Sequence, residues 1–231
     1  MAELRPLRFE IAGAYPGHYV QFLWVQTLPS KVRKLLGAGT NVEGWAHYCE
    51  QMMMEAGYGD GDRKLRLGQL QDALLRDARY VVGIRMHTGG MTYEQGIDFF
   101  VKEGYQSRAN AERETRRGTS DPTYLVYTLG KLEILKLRDD YRKMKGPAFS
   151  LQDFHDQFMR QGFPPIRVTR RALLGDDSPA LYGRPAELFR IVSTACENVA
   201  GLGQFDRGPN AGNRCRSRGS VRSGHQAGRL G

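Results

Sequence analysis

The chain is poor in the features that mark disulfide scaffolds, membrane proteins and β-proteins. It has three cysteines in 231 residues, and the spacing of Cys49, Cys196 and Cys215 gives neither a zinc motif nor a paired framework. This usage favours a reducing compartment. No stretch approaches the roughly 18 apolar residues of a transmembrane helix, and no alternating run predicts a strand of any length. The N-terminus lacks the apolar core of a secretory signal, so the sequence predicts a cytoplasmic protein without a membrane span.

The formal net charge is +9, and much of it lies at the C-terminal end of the chain. Residues 201–231 hold six arginines and one aspartate, so they contribute +5 and the rest of the chain about +4. The body lacks the interleaved aromatic and basic residues of a nucleic-acid groove. The sequence therefore predicts no specific nucleic-acid partner, and it does not indicate an oligomeric state.

Apolar residues recur at helical spacing through most of the chain and predict an all-α fold. Capping residues define several boundaries: Thr40 or Asn41, Thr92 with Gln95 in a capping-box pattern, and Ser150 are expected to begin helices. Gly162 is expected to end one. The predicted helices span about 18–36 with an interruption near Pro29, 42–57, 65–87, 93–103, 106–117, 122–144 and 151–162.

The character of the chain changes after about Leu181. Residues 182–200 could form one more short helix. Residues 201–231 contain eight glycines and almost no large apolar side chains. Such a segment cannot bury enough surface to offset the entropy lost on ordering, so we expect 182–231 to form a largely disordered tail.

Two segments carry residues that could bind a metal ion. The sequence AYPGHYVQ delivers His18 after a Pro-Gly turn, and NVEGWAHYCE places Glu43 at the head of a helix with His47 one turn later. Catalytic zinc commonly takes His and carboxylate ligands and keeps one position for water. Taken alone, these residues are more often an exposed helix pair and a structural histidine, so both interpretations stay open.

Five further residues could contact a substrate. His87 ends a predicted helix, where the helix dipole alone favours it. Tyr124 and Tyr127 flank the start of the helix that carries Lys131 and Arg138. These two cations lie seven residues apart on one helix face, and they could either bind a substrate carboxylate or remain solvated.

Five motifs, taken together and in this order, resemble the bacterial domain-of-unknown-function 885 family. They are AYPGHYVQF, EGWAHYCEQMM, DALLRDARYVVGIRMHTGGMT, YTLGKLEILKLR and FHDQFMRQGFPP. The family is regarded as a zincin-like, specifically gluzincin-like, metallopeptidase group with an all-helical body. The resemblance covers about residues 14–181, leaving 1–13 as an atypical N-terminal segment. Because family members are usually more than twice this length, the chain is expected to correspond to their C-terminal part.

The resemblance implies roles for individual residues. The first family motif typically is His-Glu-x-x-Pro-Gly-His, in which His18 matches the second histidine, and Glu43 matches the acidic ligand of gluzincins. Ala12 and Gly13 stand where the first histidine and the catalytic glutamate are expected. The resemblance also implies catalytic contacts for His87, Tyr127 and Arg138, and substrate contacts for Lys131 and Tyr124.

Two functions from different classes follow from these expectations. One is a metallopeptidase-like hydrolase fragment that acts on peptides, impaired or inactive because Ala12 and Gly13 replace the expected His-Glu pair. Zinc would then be weakly held or absent, with His18 and Glu43 as ligands and His47 as a further candidate ligand. The alternative is a non-enzymatic helical module that binds a peptide ligand.

Overall fold

Nine α-helices build the part of the chain that the structure, a computed structural model, describes: the backbone of residues 8–181 and side chains from residue 10 onward. A π-helical turn, Arg8–Ala14, precedes them, and a 3-10 turn, Gly146–Ala148, lies between the seventh and eighth. The helices are α1 His18–Thr27, α2 Lys31–Leu35, α3 Gly39–Glu55, α4 Arg63–Thr88, α5 Tyr93–Lys102, α6 Arg108–Ser120, α7 Val126–Lys145, α8 Leu151–Met159 and α9 Ile166–Leu174.

The all-α prediction is confirmed, because residues 8–181 contain no strand. None of the helices in this range combines the length and the apolar character needed to cross a bilayer. The tail predicted over 182–231, with its possible short helix, lies outside the described residues.

Local capping chemistry sets several helix boundaries as predicted. The helical structure is interrupted around Pro29, between α1 and α2. The Thr92 side chain accepts a hydrogen bond from the Gln95 amide at 3.3 Å in a complete capping box. Ser150 caps α8 in the same way, with its hydroxyl accepting from the Asp153 amide at 3.3 Å. In each case a side-chain oxygen satisfies an amide that has no partner within the helix.

The start of α3 differs from the prediction for a physical reason. The helix begins at Gly39, with Ala38 as its N-cap, so neither Thr40 nor Asn41 caps it. The Asn41 side chain makes tertiary contacts instead: it accepts from Gln21 at 2.9 Å and donates to the Pro164 carbonyl at 2.7 Å. Buried amides need such partners, and here the pairing ties α1 and the loop before α9 to α3.

Two other boundaries also shift. The helix predicted to open at Pro122 begins at Val126, after a turn in which the Asp121 carboxylate accepts a hydrogen bond from the Thr123 amide at 3.0 Å. Helix α8 ends at Met159 rather than at Gly162, which lies beyond it with a φ of 79°.

Two large apolar clusters form the core. The first gathers side chains from α3, α7, α8 and α9, among them Trp45, Tyr48, Leu137, Phe154 and Phe158. The second gathers α4, α5 and α6 around Val82, Ile97, Phe100 and Tyr124. Burying each of these side chains contributes about 1.5–3 kcal/mol, so the two clusters supply most of the drive to fold.

Helices α3 and α7 make the most extensive helix–helix contact, and two glycines make it possible. A Cβ atom on Gly44 would lie 2.5 Å from the carbonyl carbon of Gly130, and one on Gly130 would lie 1.9 Å from the Thr40 carbonyl oxygen. Both distances are too short for any side chain. The two backbones therefore touch directly at this crossing.

Two buried ion pairs connect α4 to its neighbours. Arg76 donates to both carboxylate oxygens of Glu50 on α3, at 3.0 and 2.7 Å. Arg79 donates to both oxygens of Glu114 on α6, at 2.8 and 2.9 Å. Bidentate geometry of this kind compensates for part of the cost of removing both charges from water.

The two carboxylates respond differently to burial. Burial raises the pKa of Glu50 and outweighs the attraction of Arg76. Burial also acts to raise the pKa of Glu114, but hydrogen bonds from Arg79 and Tyr124 outweigh it, and the pKa of Glu114 is lowered. Glu114 is thus the carboxylate whose charge the fold stabilises.

Substituting Gly130→Ala tests the backbone contact between α3 and α7. The added methyl group would meet backbone atoms that cannot move aside, so we expect the free energy of unfolding to fall by about 1–3 kcal/mol in urea denaturation. Gly89→Ala is the control, because a Cβ there lies 3.5 Å from the nearest atom. It should change stability by less than about 0.5 kcal/mol. Equal effects of the two substitutions would contradict the close-contact argument.

Substituting Glu114→Gln tests the buried pair with Arg79. The variant leaves an uncompensated guanidinium in the core and should lose about 3 kcal/mol of stability at pH 7. Because the pKa of Glu114 is lowered in the folded state, its stabilisation is present above its ordinary pKa and is lost as the pH falls through the lowered value. The stability difference between the two proteins should therefore shrink in acid.

The control for that experiment is Glu112→Gln on the same helix. The Glu112 side chain is 45% exposed and pairs with Arg108 one turn away at 3.1 Å. Exposed pairs of this kind contribute at most about 0.5 kcal/mol, so this variant should remain close to the unsubstituted chain at every pH. A pH-independent loss for Glu114→Gln would show that its carboxylate charge contributes nothing.

Candidate functional site

A turn before α1 sets the position of His18. The Gly17 amide donates to the Ile11 carbonyl at 2.9 Å, which folds the turn back onto the π-helical segment. A Cβ on Gly17 would lie 2.0 Å from the Ala12 carbonyl oxygen, so only glycine fits. The Trp45 indole donates to the Pro16 carbonyl at 3.0 Å and fixes the turn against α3. His18, the first residue of α1, is thereby held beside the start of α3.

His18 and Glu43 lie together, as the two sequence motifs had indicated. Nε2 of His18 is 3.5 Å from Oε2 of Glu43, and both side chains are partly exposed, at 27% and 34%. Nδ1 of His18 is buried and makes no hydrogen bond to any described residue. The pair is thus polar, accessible and only partly satisfied by the protein.

A pocket of about 430 Å³ opens beside this pair. Its volume lies within the range of about 300–1,000 Å³ that is usual for small-molecule sites. Its lining combines the positions that the first family motif occupies with residues from α3, α4, α6 and α7: Ala12, Gly13, His18, Glu43, Ala46, His47, Arg76, Arg79, Arg117 and Tyr127.

His47 lies in the pocket wall but its environment disfavours a positive charge. It is 1% exposed, and its Nε2 is 3.5 Å from the Lys131 ammonium. Burial, followed by the charges of Lys131 and Arg76, lowers the pKa of His47 well below its usual range. Burial likewise lowers the pKa of Lys131, against the attraction of Asp77 and Glu50.

Three residues were expected to make catalytic contacts: His87, Tyr127 and Arg138. Of these three, Tyr127 lines the pocket. Its hydroxyl accepts a hydrogen bond from Nη2 of Arg117 at 3.1 Å, and the Arg79 guanidinium lies 5.3 Å from its ring centre. His87 is exposed at the end of α4, with Nε2 2.9 Å from the Gly118 carbonyl oxygen. It does not contribute to the pocket.

Arg138 belongs to a separate polar cluster. It donates to Glu55 at 2.9 Å and to the Tyr48 hydroxyl at 3.4 Å. That hydroxyl lies 2.9 Å from Nε2 of His155, and burial, assisted by the charge of Arg138, lowers the pKa of His155 to about 4. His155 is thus neutral at pH 7, and the groups of the cluster pair with one another except at the buried Nε of Arg138, which has no hydrogen-bond partner among the described residues.

Lys131 and Tyr124, both expected to bind substrate, face protein neighbours. Tyr124 is fully buried, and its hydroxyl donates to the Glu114 carboxylate at 2.5 Å. Neither residue lines the pocket. The cations that do line it are Arg76, Arg79 and Arg117, which the sequence did not single out. Arg76 and Arg79 lie three residues apart on the buried face of their helix. This spacing is the one feature of the sequence that could have indicated that these two arginines lie near the pocket.

The described side chains supply only part of a zinc site. Two tetrahedral ligands about 2.0–2.1 Å from zinc are themselves about 3.3 Å apart, close to the observed His18–Glu43 separation. A hydrolytic zinc site needs three protein ligands, whereas Ala12 and Gly13 offer no side-chain donor. Within the described range, no three His, Cys, Asp or Glu side chains are grouped so that they could hold a metal ion. These residues therefore do not fit a complete catalytic zinc centre.

Among the solved structures that share this fold are two bacterial proteins. One is a provisionally assigned lipoprotein of unknown function from Shewanella oneidensis, 36% identical, with a TM-score of 0.69, covering 72% of this chain and 31% of that protein. The other is a provisionally assigned lipoprotein from Colwellia psychrerythraea, 32% identical, with a TM-score of 0.68, covering 70% of this chain and 28% of that protein. The chain thus spans less than a third of the length of either relative.

The sequence comparison covers the candidate site as well as the fold. A family profile described as bacterial protein of unknown function, DUF885, matches residues 11–173. The match includes Ala12, Gly13, His18 and Glu43, so the pocket lies within the family region. No curated protein matches the chain. The extent of the family match establishes that the chain belongs to the DUF885 family of bacterial proteins of unknown function.

Proposed function

We propose that the chain carries the substrate pocket of a zincin-like, metal-assisted peptide hydrolase, and that hydrolysis is impaired in the sequence as it stands. One observation carries the proposal: Ala12, Gly13, His18 and Glu43 all line a single pocket. These are the four positions that the resemblance assigns to the metal ligands and the general base. Residues that are distant in sequence thus line one pocket.

The impairment follows from the chemistry of the two missing side chains. A general base contributes about 10²–10⁴-fold to a hydrolytic rate, and Gly13 has no side chain to act as one. Glu10 does not replace it, because it is not among the residues that line the pocket; its carboxylate accepts a hydrogen bond from the Tyr58 hydroxyl at 3.1 Å instead. Ala12 removes a ligand, which weakens the retention of any metal at His18 and Glu43.

The alternative function is a peptide-binding module without catalysis. The pocket volume and its arginine-rich wall favour this second candidate, because both serve binding and neither requires a metal ion. The activity of the longer relatives is a separate matter, since the chain corresponds to less than a third of them. The cytoplasmic location stays a prediction. The alternative is a membrane-anchored location, which the lipoprotein assignments of both relatives suggest.

Restoring the motif tests the proposed hydrolase. The double substitution Ala12→His and Gly13→Glu should raise bound zinc towards one equivalent after dialysis, as measured by mass spectrometry. Hydrolysis of a fluorogenic peptide mixture should rise by about 10²-fold or more once a base is present. Ala12 and Gly13 both line the pocket, and circular dichroism would show whether the variant keeps its helical content.

The matched control adds His18→Ala to the restored protein, which should remove the zinc again while leaving the fold intact. A folded double variant that neither binds zinc nor cleaves peptides would refute the hydrolase assignment. Stoichiometric zinc and rapid turnover in the unsubstituted chain would instead refute the impairment.

A further inference from the structure

We propose that the pocket binds a free carboxylate of its ligand, such as the C-terminal carboxylate of a peptide, through the guanidinium of Arg117. The inference rests on the proposed function and deepens it, because it names the class of ligand that the same pocket selects. It also assigns the anchoring residue, which neither the motifs nor the family resemblance indicates.

The charges on the pocket wall favour an anionic ligand. Three arginines line the pocket, whereas Glu43 is the only carboxylate among the lining residues. Glu50 and Glu114 lie outside the lining, each paired with one of these arginines. An anion that enters the pocket therefore meets guanidinium groups directly and meets one carboxylate.

Arg76 and Arg79 are already committed to protein partners. Both make bidentate ion pairs, at distances between 2.7 and 3.0 Å, and their side chains are only 6% and 3% exposed. A ligand that displaced either carboxylate would leave that carboxylate buried and unpaired, which is costly. The charges of these two arginines are balanced by their carboxylate partners, so neither arginine serves as the anchor.

Arg117 differs from them because three of its five N–H donors make no hydrogen bond to a described residue. Its hydrogen bonds to Tyr127 and Asp121, at 3.1 and 3.5 Å, both come from Nη2. Among the described residues, no hydrogen bond involves its Nε or Nη1. Its side chain is 46% exposed, so a ligand can reach it.

The Arg117 guanidinium is also held in place. Its Cζ lies 5.2 Å from the ring centre of Tyr124, and that ring is fully buried and fixed through its hydroxyl to Glu114. Cation–π contact with a rigid ring limits the freedom of a long side chain. A donor group ordered in advance loses less entropy on binding and therefore binds more tightly.

A carboxylate suits this arrangement better than a phosphate. The open N–H groups of Arg117, on Nε and Nη1, can each donate a charge-assisted hydrogen bond to a carboxylate oxygen. Phosphate shares that chemistry but carries a second negative charge near neutral pH, and Glu43 in the same pocket repels it. The single available guanidinium thus matches a monoanion.

The test compares two ligands by isothermal titration calorimetry on the full chain, with a metal chelator in the buffer. N-acetyl-dialanine with a free carboxylate should bind about 10-fold or more tightly than its C-terminal amide, as expected for loss of hydrogen bonds to a charged group. Inorganic phosphate should compete only at much higher concentration. Equal binding of acid and amide, absence of binding by both, or competition by phosphate at equal concentration would each overturn the proposal.

Three variants assign the preference to one side chain. Arg117→Gln should bring the acid-to-amide affinity ratio to within about 2-fold of unity, because it removes the charge-assisted hydrogen bonds. Arg117→Lys keeps the charge without the planar fork and should give an intermediate ratio. Arg116→Gln, at the exposed neighbouring arginine outside the pocket lining, should leave the ratio unchanged. An unchanged ratio in Arg117→Gln, or equal loss in Arg116→Gln, would refute the assignment.

Circular dichroism melting of the same samples confirms that each variant is folded. Because the ratio is measured without metal and without turnover, it is independent of the hydrolase test. A restored motif that fails to cleave, beside an intact acid preference, would remove the hydrolase proposal alone. Loss of the preference beside successful restoration would remove only the role of Arg117.

Discussion

Helices α3 and α7 touch backbone to backbone where Gly44 faces Gly130, and the geometry of the pocket depends on this contact. Glu43 and Trp45 flank the first glycine, so the approach of the helices fixes both the acidic side chain and the indole that holds the Pro16 turn. Lys131 follows the second glycine and reaches His47. A larger distance between α3 and α7 would move the side chains of one helix away from those of the other, because all of these side chains stand on the turns next to the contact.

The arginines around the pocket differ in depth and in their partners. Closest to the core, two bidentate pairs neutralise Arg76 and Arg79 with carboxylates that do not face the ligand space. Nearer the solvent, Arg117 stacks on Tyr124 and keeps open donors. Isolated buried charges would be costly, and pairing makes a cationic wall compatible with a stable helical fold. The arrangement thus leaves Arg117, whose side chain is 46% exposed, as the lining arginine that solvent and ligand can reach.

The features that the sequence alone could predict are those governed by neighbours in the chain. The break near Pro29 and the caps at Thr92 and Ser150 depend on interactions within a few residues. The start of α3 could not be predicted, because the Asn41 side chain makes hydrogen bonds to Gln21 and Pro164, which belong to other segments of the chain. Tertiary hydrogen bonds override capping preference wherever a buried amide has to be satisfied.

The same distinction between local and tertiary interactions applies to the residues of the candidate site. His18 and Glu43, which the sequence proposed as metal ligands, lie 3.5 Å apart, and each stands in a motif that carries its own turn or helix start. Lys131 and Arg138 share a helix face, yet seven residues place them about 10.5 Å apart along the axis, so they meet different partners. Arg117 carried no signal, because a helix that is polar nearly all round does not reveal which of its charges faces a pocket.

The indole of Trp45 gives the site an optical property. The ring is 2% exposed, is stacked on Phe158 with ring centres 5.2 Å apart, and donates its N–H to the turn that presents His18. The chain has only one other tryptophan, Trp24. Indole emission shifts with the polarity around the ring, so loosening of the turn changes the colour and intensity of the fluorescence. The chain therefore contains a built-in reporter for the state of its candidate ligand pair.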